Sequence, residues 1–199
     1  MITPFVRILL VANGLIYVAM WQLDWADRIA EWFALWPYPQ VLPWQLVTYG
    51  FLHGGFTHLF FNMFALWMFG RRIEAYWGTK RFVIYYFVCV IGAALVNLFV
   101  LALQGRPSLT LGASGGVFGI LLAYGMMFPN NRVVLLIPPI PMKAKWFVIL
   151  YGVLELSFGV TGIGPSIAHF AHLGGMLFGF LLIQYWRRRW PFGFRSRTK

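Results

Sequence analysis

Residues 107–131 read PSLTLGASGGVFGILLAYGMMFPNN, a run of 25 residues without one Asp, Glu, Lys or Arg. About 20 residues of helix, each rising ~1.5 Å, cross a hydrocarbon core of ~30 Å, so a run this long and apolar reads as a membrane span. The pattern repeats outward on both sides, with charge-free runs at 8–23, 32–70, 82–105 and 156–186. The run 32–70 is too long for one helix and is broken by Pro37, Pro39 and Pro43; its first part reads as a loop and its span as 55–72. The last run opens with a Gly- and Pro-containing turn, Thr161–Pro165, before a helix, and a shorter apolar segment at 146–160 is interrupted only by Glu155. The expected fold is an all-α integral membrane protein of six transmembrane helices, at 5–23, 55–72, 82–104, 113–128, 146–160 and 167–186. A basic tail follows at 187–199.

Composition excludes the alternatives. Of 199 residues, 60% are hydrophobic and 11% charged, against about 25% charged in an ordinary soluble domain. A single core of this size cannot bury so much apolar surface and still present a polar exterior. Disorder requires low hydrophobicity, and a disulfide scaffold requires more than the single Cys89. The net charge of +11 leaves no basic stripe to follow phosphates, so nucleic acid is not an expected partner.

The basic residues instead set orientation. Lys and Arg are retained on the cytoplasmic side of a membrane. With the N-terminus inside, segments 70–81, 129–145 and 187–199 carry 13 basic residues, and the opposite loops carry only Arg28 and Arg106. Both termini are therefore expected to be cytoplasmic, with the loop from Asp24 to about Gly54 outside. The first apolar run follows one basic residue and lacks a small-residue cleavage site, so it reads as an uncleaved anchor. Short tails and the lack of a transit peptide fit a bacterial plasma membrane. Trp21, Trp25, Trp32, Trp36 and Trp44 fall where an outer aromatic belt belongs.

Polar groups inside spans are costly and point to function. His58 and Asn62, four apart, share one face at the outer end of span two. Span four opens from outside as Gly112-Ala113-Ser114-Gly115-Gly116-Val117-Phe118-Gly119, and span six as Ala168-His169-Phe170-Ala171-His172-Leu173-Gly174-Gly175, with Gly179 following. The topology brings all three clusters to one depth. A serine hydroxyl is a weak nucleophile that needs a base in hydrogen-bond reach, which a histidine supplies. Gly115 with Gly119, and Gly175 with Gly179, would let spans four and six approach closely. Ser114 also opens a helix whose unpaired N–H groups can stabilise an oxyanion, with His58 and Asn62 as further donors.

These motifs, in this order along nearly the whole chain, resemble the rhomboid intramembrane serine proteases in their minimal six-helix form. The resemblance implies that Ser114 is the nucleophile and His172 its general base, with no third acid. It also implies that His58, Asn62 and the backbone N–H of Ser114 hold the oxyanion, and that single-span membrane proteins are cut at small residues near their outer boundary. Gly112 belongs to the matched serine motif. Many family members have Tyr four residues after the serine, stacked on the histidine; here it is Phe118, which keeps the ring. Many carry Trp-Arg in the first loop; here Trp44-Gln45 lacks the charge that would anchor that loop or touch lipid.

Two rival readings use the same residues. His53, His58, His169 and His172 could converge on zinc, or the chain could hold membrane clients without cutting them. The serine reading expects no metal and no cofactor, with the bilayer and substrate as partners; oligomeric state is not legible. His53 and His169 read as structural or interfacial. Glu155 reads as structural, paired with a polar loop group or gating access beside span five. Asn13 and Asn97 read as interhelical hydrogen-bonding residues.

Overall fold

The computed structural model describes residues 2–22, 25–105, 107–134, 139–162 and 168–189. Asp24, Arg106, Pro165 and the chain beyond Arg189, on which parts of the loop, turn and tail readings rest, lie outside the described residues. The described chain is mainly helical, in the order α1 (Pro4–Gln22), α2 (Ala26–Phe33), α3 (Gln45–Thr48), α4 (Phe56–Ala65), α5 (Arg71–Trp77), α6 (Thr79–Gln104), α7 (Ser114–Met127), α8 (Ala144–Thr161) and α9 (His169–Arg189).

α6 is apolar on every side and sits at the centre, packed chiefly on α9 and α7. Small residues let these three helices meet. Gly92 lies against Phe178, Gly116 against Tyr86, and Gly175 on the carbonyl of Gly115; a Cβ at Gly174 would stand 3.1 Å from Ala93 Cα. Two of the buried tyrosines here spend their hydroxyls on backbone. Tyr85 donates to Gly119 O at 2.7 Å and Tyr49 to Val90 O at 2.7 Å, so neither buried O–H is left unsatisfied.

Away from this core the surface stays apolar. Leu15 on α1, Phe99 and Leu103 on α6, and Val153, Leu156 and Val160 on α8 are all exposed, which only a hydrocarbon environment makes inexpensive. Three helices, Pro4–Trp21, Thr79–Gln104 and Ala144–Thr161, are long and apolar enough to cross a membrane, and α7 is a shorter apolar helix.

Several expectations need correction. The segment read as one span at 55–72 is α4, a π-helical turn at Leu66–Gly70 and α5, and it remains helical to Trp77. Extra residues wound into the π turn rotate the later side chains relative to an ideal helix. α9 is described as far as Arg189, so the first three arginines assigned to the tail are helical. The fold is not purely α, because Arg132–Val134 pairs antiparallel with Pro141–Lys143 between α7 and α8. The β-branched pair Val133-Val134 favours a strand there, and Pro at the ribbon's edge cannot continue a helix.

The first outer loop is also structured. α2 has Asp27 in its first turn, a charge that suits the helix dipole. Gln45, expected to leave this loop without an anchor, is fully buried and supplies one: its Oε1 accepts from Leu42 N at 3.1 Å and Trp36 N at 3.3 Å, and its Nε2 donates to Trp32 O at 3.3 Å. Among the described residues, Asn13 and Asn97 make no hydrogen bond from one helix to another. Asn13 donates to Leu9 O of its own helix at 2.7 Å, and Asn97 reaches the Thr110 hydroxyl at 2.8 Å.

Glu74, which no sequence motif singles out, is 2% exposed. Its carboxylate accepts from Phe5 N and Val6 N, each at 2.9 Å, and from the Thr79 hydroxyl at 2.8 Å, so it caps the free N–H groups of α1 while touching the start of α6. Burial pushes the carboxyl's pKa up; hydrogen bonds from Phe5, Val6 and Thr79, with the Thr3 hydroxyl beside them, outweigh burial and hold it below the ordinary value.

Candidate active site

The entry to α7 is fixed from both sides before Ser114 is reached. Thr110 exchanges two backbone hydrogen bonds with Leu35 of the first loop, at 2.9 and 3.0 Å, and Gly112 N donates to Tyr49 O at 2.9 Å. Gly112 has φ 130°, a region that side chains rarely adopt, and a Cβ there would stand 2.8 Å from the His58 ring. A glycine is thus required twice over, by the turn and by the imidazole. The chain then enters α7 at Ser114, whose N–H, with those that follow, has no partner within the helix.

Ser114 Oγ lies 2.8 Å from Nε2 of His172, one turn into α9 and 7% exposed. Phe118, one turn further along α7, stacks on the imidazole with centroids 4.2 Å apart and planes 5° apart. The ring stacking expected of Phe118 is therefore present. Helix approach at this level is backbone on backbone, Gly175 against Gly115. Gly119 and Gly179 serve α6 as much as each other: Gly119 lies against Cys89, where a Cβ would stand 3.2 Å from Gly175 O, and Gly179 lies against Tyr85. The expected four-glycine contact between two helices is thus a junction of three.

His58 and Asn62 lie across the cleft from Ser114 on α4. Asn62 spends one amide N–H on His58 O at 2.9 Å, leaving the other for a ligand. Together with Ser114, Phe118 and His172 they line a cleft of about 1540 Å³ that runs between α4 and α8, walled by Phe61, Phe64 and Met68 on one side and Phe147, Tyr151 and Phe158 on the other.

Glu155 contradicts its expected place. Among the described residues its partners are two histidines of α9 and not a loop group. Its Oε2 accepts a hydrogen bond from His169 Nδ1 at 2.7 Å and lies 2.9 Å from His172 Nδ1, with the carboxylate 13% exposed. An acid therefore stands beside the Ser–His pair, where the resemblance implied none. The lone acid in an apolar run was the signal; which neighbour it meets depends on how α8 and α9 cross, which no sequence pattern states. His169 is accordingly tied to the site through Glu155, while His53 is fully buried against His58, ring centroids 5.0 Å apart, outside the cleft lining.

The four histidines do not converge. They form two pairs, His53 with His58 and His169 with His172, the latter 6.4 Å between centroids. Among the described residues, the group with ligand atoms close enough for a metal is Glu155, His169 and His172, all within 4.8 Å of one another. Any metal reading must therefore give up His53 and His58 and take Glu155 instead.

Fold and cleft together define a helical membrane protein with a serine–histidine pair at a helix N-terminus. Residues 41–189 match the rhomboid domain family, and the chain belongs to that family. It is 33% identical over 168 residues to the yeast (Saccharomyces cerevisiae) protein "Rhomboid protein 1, mitochondrial", covering 81% of this chain and 47% of that one. "RHOMBOID-like protein 5" of Arabidopsis thaliana is 36% identical over 139 residues, 70% of this chain and 42% of the relative. The mouse (Mus musculus) "Presenilin-associated rhomboid-like protein, mitochondrial" is 27% identical over 189 residues, 92% of this chain and 50% of the relative. The chain thus spans about half, or less, of the length of these relatives.

Proposed function

We propose that the chain is an intramembrane serine endopeptidase that hydrolyses peptide bonds of single-span membrane proteins near their outer membrane boundary. The observation that carries the reading is the 2.8 Å contact of Ser114 Oγ with His172 Nε2 at the N-terminus of α7. With Nε2 unprotonated, the hydroxyl donates to it. As Oγ attacks a substrate carbonyl, its proton passes to Nε2, and the negative oxygen that forms is held by the Ser114 N–H, His58 and Asn62. The imidazolium returns that proton to the departing amine. Water then attacks the acyl-enzyme, giving its proton to the same nitrogen, and serine is released.

The character of the cleft supports this substrate class. Its aromatic walls suit an apolar helix, and a helix must unwind to offer a carbonyl, which small residues at the cut favour. Six spans, with both termini on the cytoplasmic side, complete the proposal, and the excess of basic residues in segments 70–81, 129–145 and 187–199 supports that orientation. The relatives named above are eukaryotic and two are mitochondrial, so they lend no support to a bacterial plasma membrane. The proposal extends to an integral membrane location alone.

Reconstitution in liposomes with a panel of single-span substrates tests it. Cleavage by the wild type and none by Ser114→Ala is expected. Binding of these substrates without cleavage by the wild type would instead make the chain a client-holding protein.

A further inference from the structure

We propose that Glu155 is a positioning residue for His172, turning the serine–histidine pair into a Ser114–His172–Glu155 relay with the carboxylate itself anchored on His169. The inference rests on the serine–histidine reading above and adds the acid that the family resemblance leaves out.

Three successive contacts form the relay. Ser114 Oγ stands 2.8 Å from His172 Nε2, His172 Nδ1 stands 2.9 Å from Glu155 Oε2, and the same oxygen accepts from His169 Nδ1 at 2.7 Å. The contact with His169 is an aligned hydrogen bond, whereas Oε2 lies beside His172 Nδ1 without lining up with its N–H direction. His169 therefore holds the carboxylate, and the carboxylate presents its charge to His172.

That charge does what Phe118 cannot. Stacking at 4.2 Å fixes the plane of the imidazole but treats its two edges alike, so it selects neither which nitrogen faces Ser114 nor which one carries the proton. A carboxylate beside Nδ1 favours the proton there and leaves Nε2 bare toward the hydroxyl. When Nε2 then takes the serine proton, the ring becomes a cation in a site 7% exposed, and an anion 2.9 Å away offsets the cost of charging it. Apo geometry of this kind commonly tightens when the charge develops. The remaining titratable groups among the described residues lining the cleft, Tyr49, His58 on α4 and Tyr151 on α8, offer no carboxylate to take over this role.

The position of Glu155 supports the same conclusion. An acid within an apolar helix is costly unless paired. A purely structural acid would be satisfied by groups that keep one charge state, as Glu74 is. Glu155 instead faces two imidazoles, His169 and His172, both of which line the cleft.

The test is steady-state cleavage of a fluorogenic single-span peptide in proteoliposomes by wild type, Glu155→Gln, Glu155→Asp, His169→Ala, Ser114→Ala and His172→Ala, with melting temperatures and fluorophosphonate labelling rates measured alongside. Glu155→Gln should lower kcat roughly 10- to 1,000-fold while KM changes less than about threefold, and should slow labelling of Ser114 by a similar factor. Glu155→Asp should recover part of that loss, and His169→Ala should lose less than Glu155→Gln. Wild-type kcat in Glu155→Gln, with Ser114→Ala and His172→Ala inactive, overturns the relay and leaves the serine–histidine reading standing. Full activity in Ser114→Ala or His172→Ala overturns both. If Glu155→Gln does not fold, the decision passes to Glu155→Asp and His169→Ala: reduced kcat at unchanged KM and melting temperature supports the relay, and wild-type kcat in both refutes it.

Discussion

Glu74 and Glu155 are both carboxylates withdrawn from water, but their surroundings differ in kind. Glu74 is closed in by two backbone N–H groups and a threonine hydroxyl, donors that never change charge, and it ties the start of α1 to the start of α6. Glu155 faces two imidazoles, one of them in contact with a serine hydroxyl, and both imidazoles line the cleft. The type of partner, more than burial itself, separates an acid that holds the scaffold from one that can take part in proton movement. The prediction that follows is a clean split: changes around Glu155 should alter turnover without altering stability, and changes at Glu74 should do the reverse.

The largest effect is expected at the centre of the cleft. Ser114→Ala and His172→Ala should each reduce cleavage by on the order of 10⁴-fold or more, and the double variant should be no worse, because nucleophile and base act as one unit. Unchanged melting curves with abolished turnover would sharpen the contrast, whereas appreciable turnover in Ser114→Ala would end it. Across the cleft, His58→Ala or Asn62→Ala removes one oxyanion donor and should lower kcat about 10²- to 10³-fold. His53→Ala, outside the cleft lining, should cost turnover much less; equal losses at all four histidines would point away from serine chemistry.

An intermediate effect tests whether geometry alone can disable the cleft. A Cβ at Gly175 would collide with the Gly115 carbonyl, so Gly175→Val should force α7 and α9 apart. A displacement of ~1 Å can cost about 10²-fold in rate with no reacting group removed. Circular dichroism should show retained helix while cleavage falls; cleavage within a few-fold of wild type would mean that the junction yields without disturbing Ser114 and His172.

The smallest effect on turnover belongs to Glu74. Glu74→Gln turns an amide donor toward backbone donors and should lower stability by about 1–3 kcal/mol at neutral pH, read as a reduced melting temperature in detergent, with kcat within about twofold of wild type. The folded pKa of Glu74 lies below its ordinary value, so its contribution is complete above the unfolded pKa and is lost as pH falls through the folded one. The gap between wild type and variant should therefore close on acidification. A gap that widens at low pH, or a large loss of kcat at neutral pH, would erase the distinction between the two carboxylates.

How much of this could be read from the sequence also follows the nature of each contact. Ser114, His172, His58 and Asn62 were legible because helix period and membrane depth are one-dimensional properties, and both converge on these residues. Glu155 was visible as an anomaly, but its partners depend on the crossing of α8 with α9. Glu74, between Arg72 and Lys80, drew no reading from the sequence, because nothing local reveals that the start of α1 closes over it. Gln45 was judged by the charge it lacks, although a neutral amide holds three backbone groups of the first loop. Gly119 and Gly179 could be recognised as sites of close approach, while the third helix they meet, α6, could not.

The most direct measurement is fluorophosphonate labelling of the membrane-reconstituted protein, with the adduct located by mass spectrometry. A reagent of this kind reacts with an activated serine and leaves an ordinary helix-capping hydroxyl alone. The account predicts a single adduct on Ser114, formed at a rate that collapses in His172→Ala and is insensitive to chelators in the wild type. Labelling at another residue, or labelling of Ser114 at an undiminished rate in His172→Ala, would contradict it.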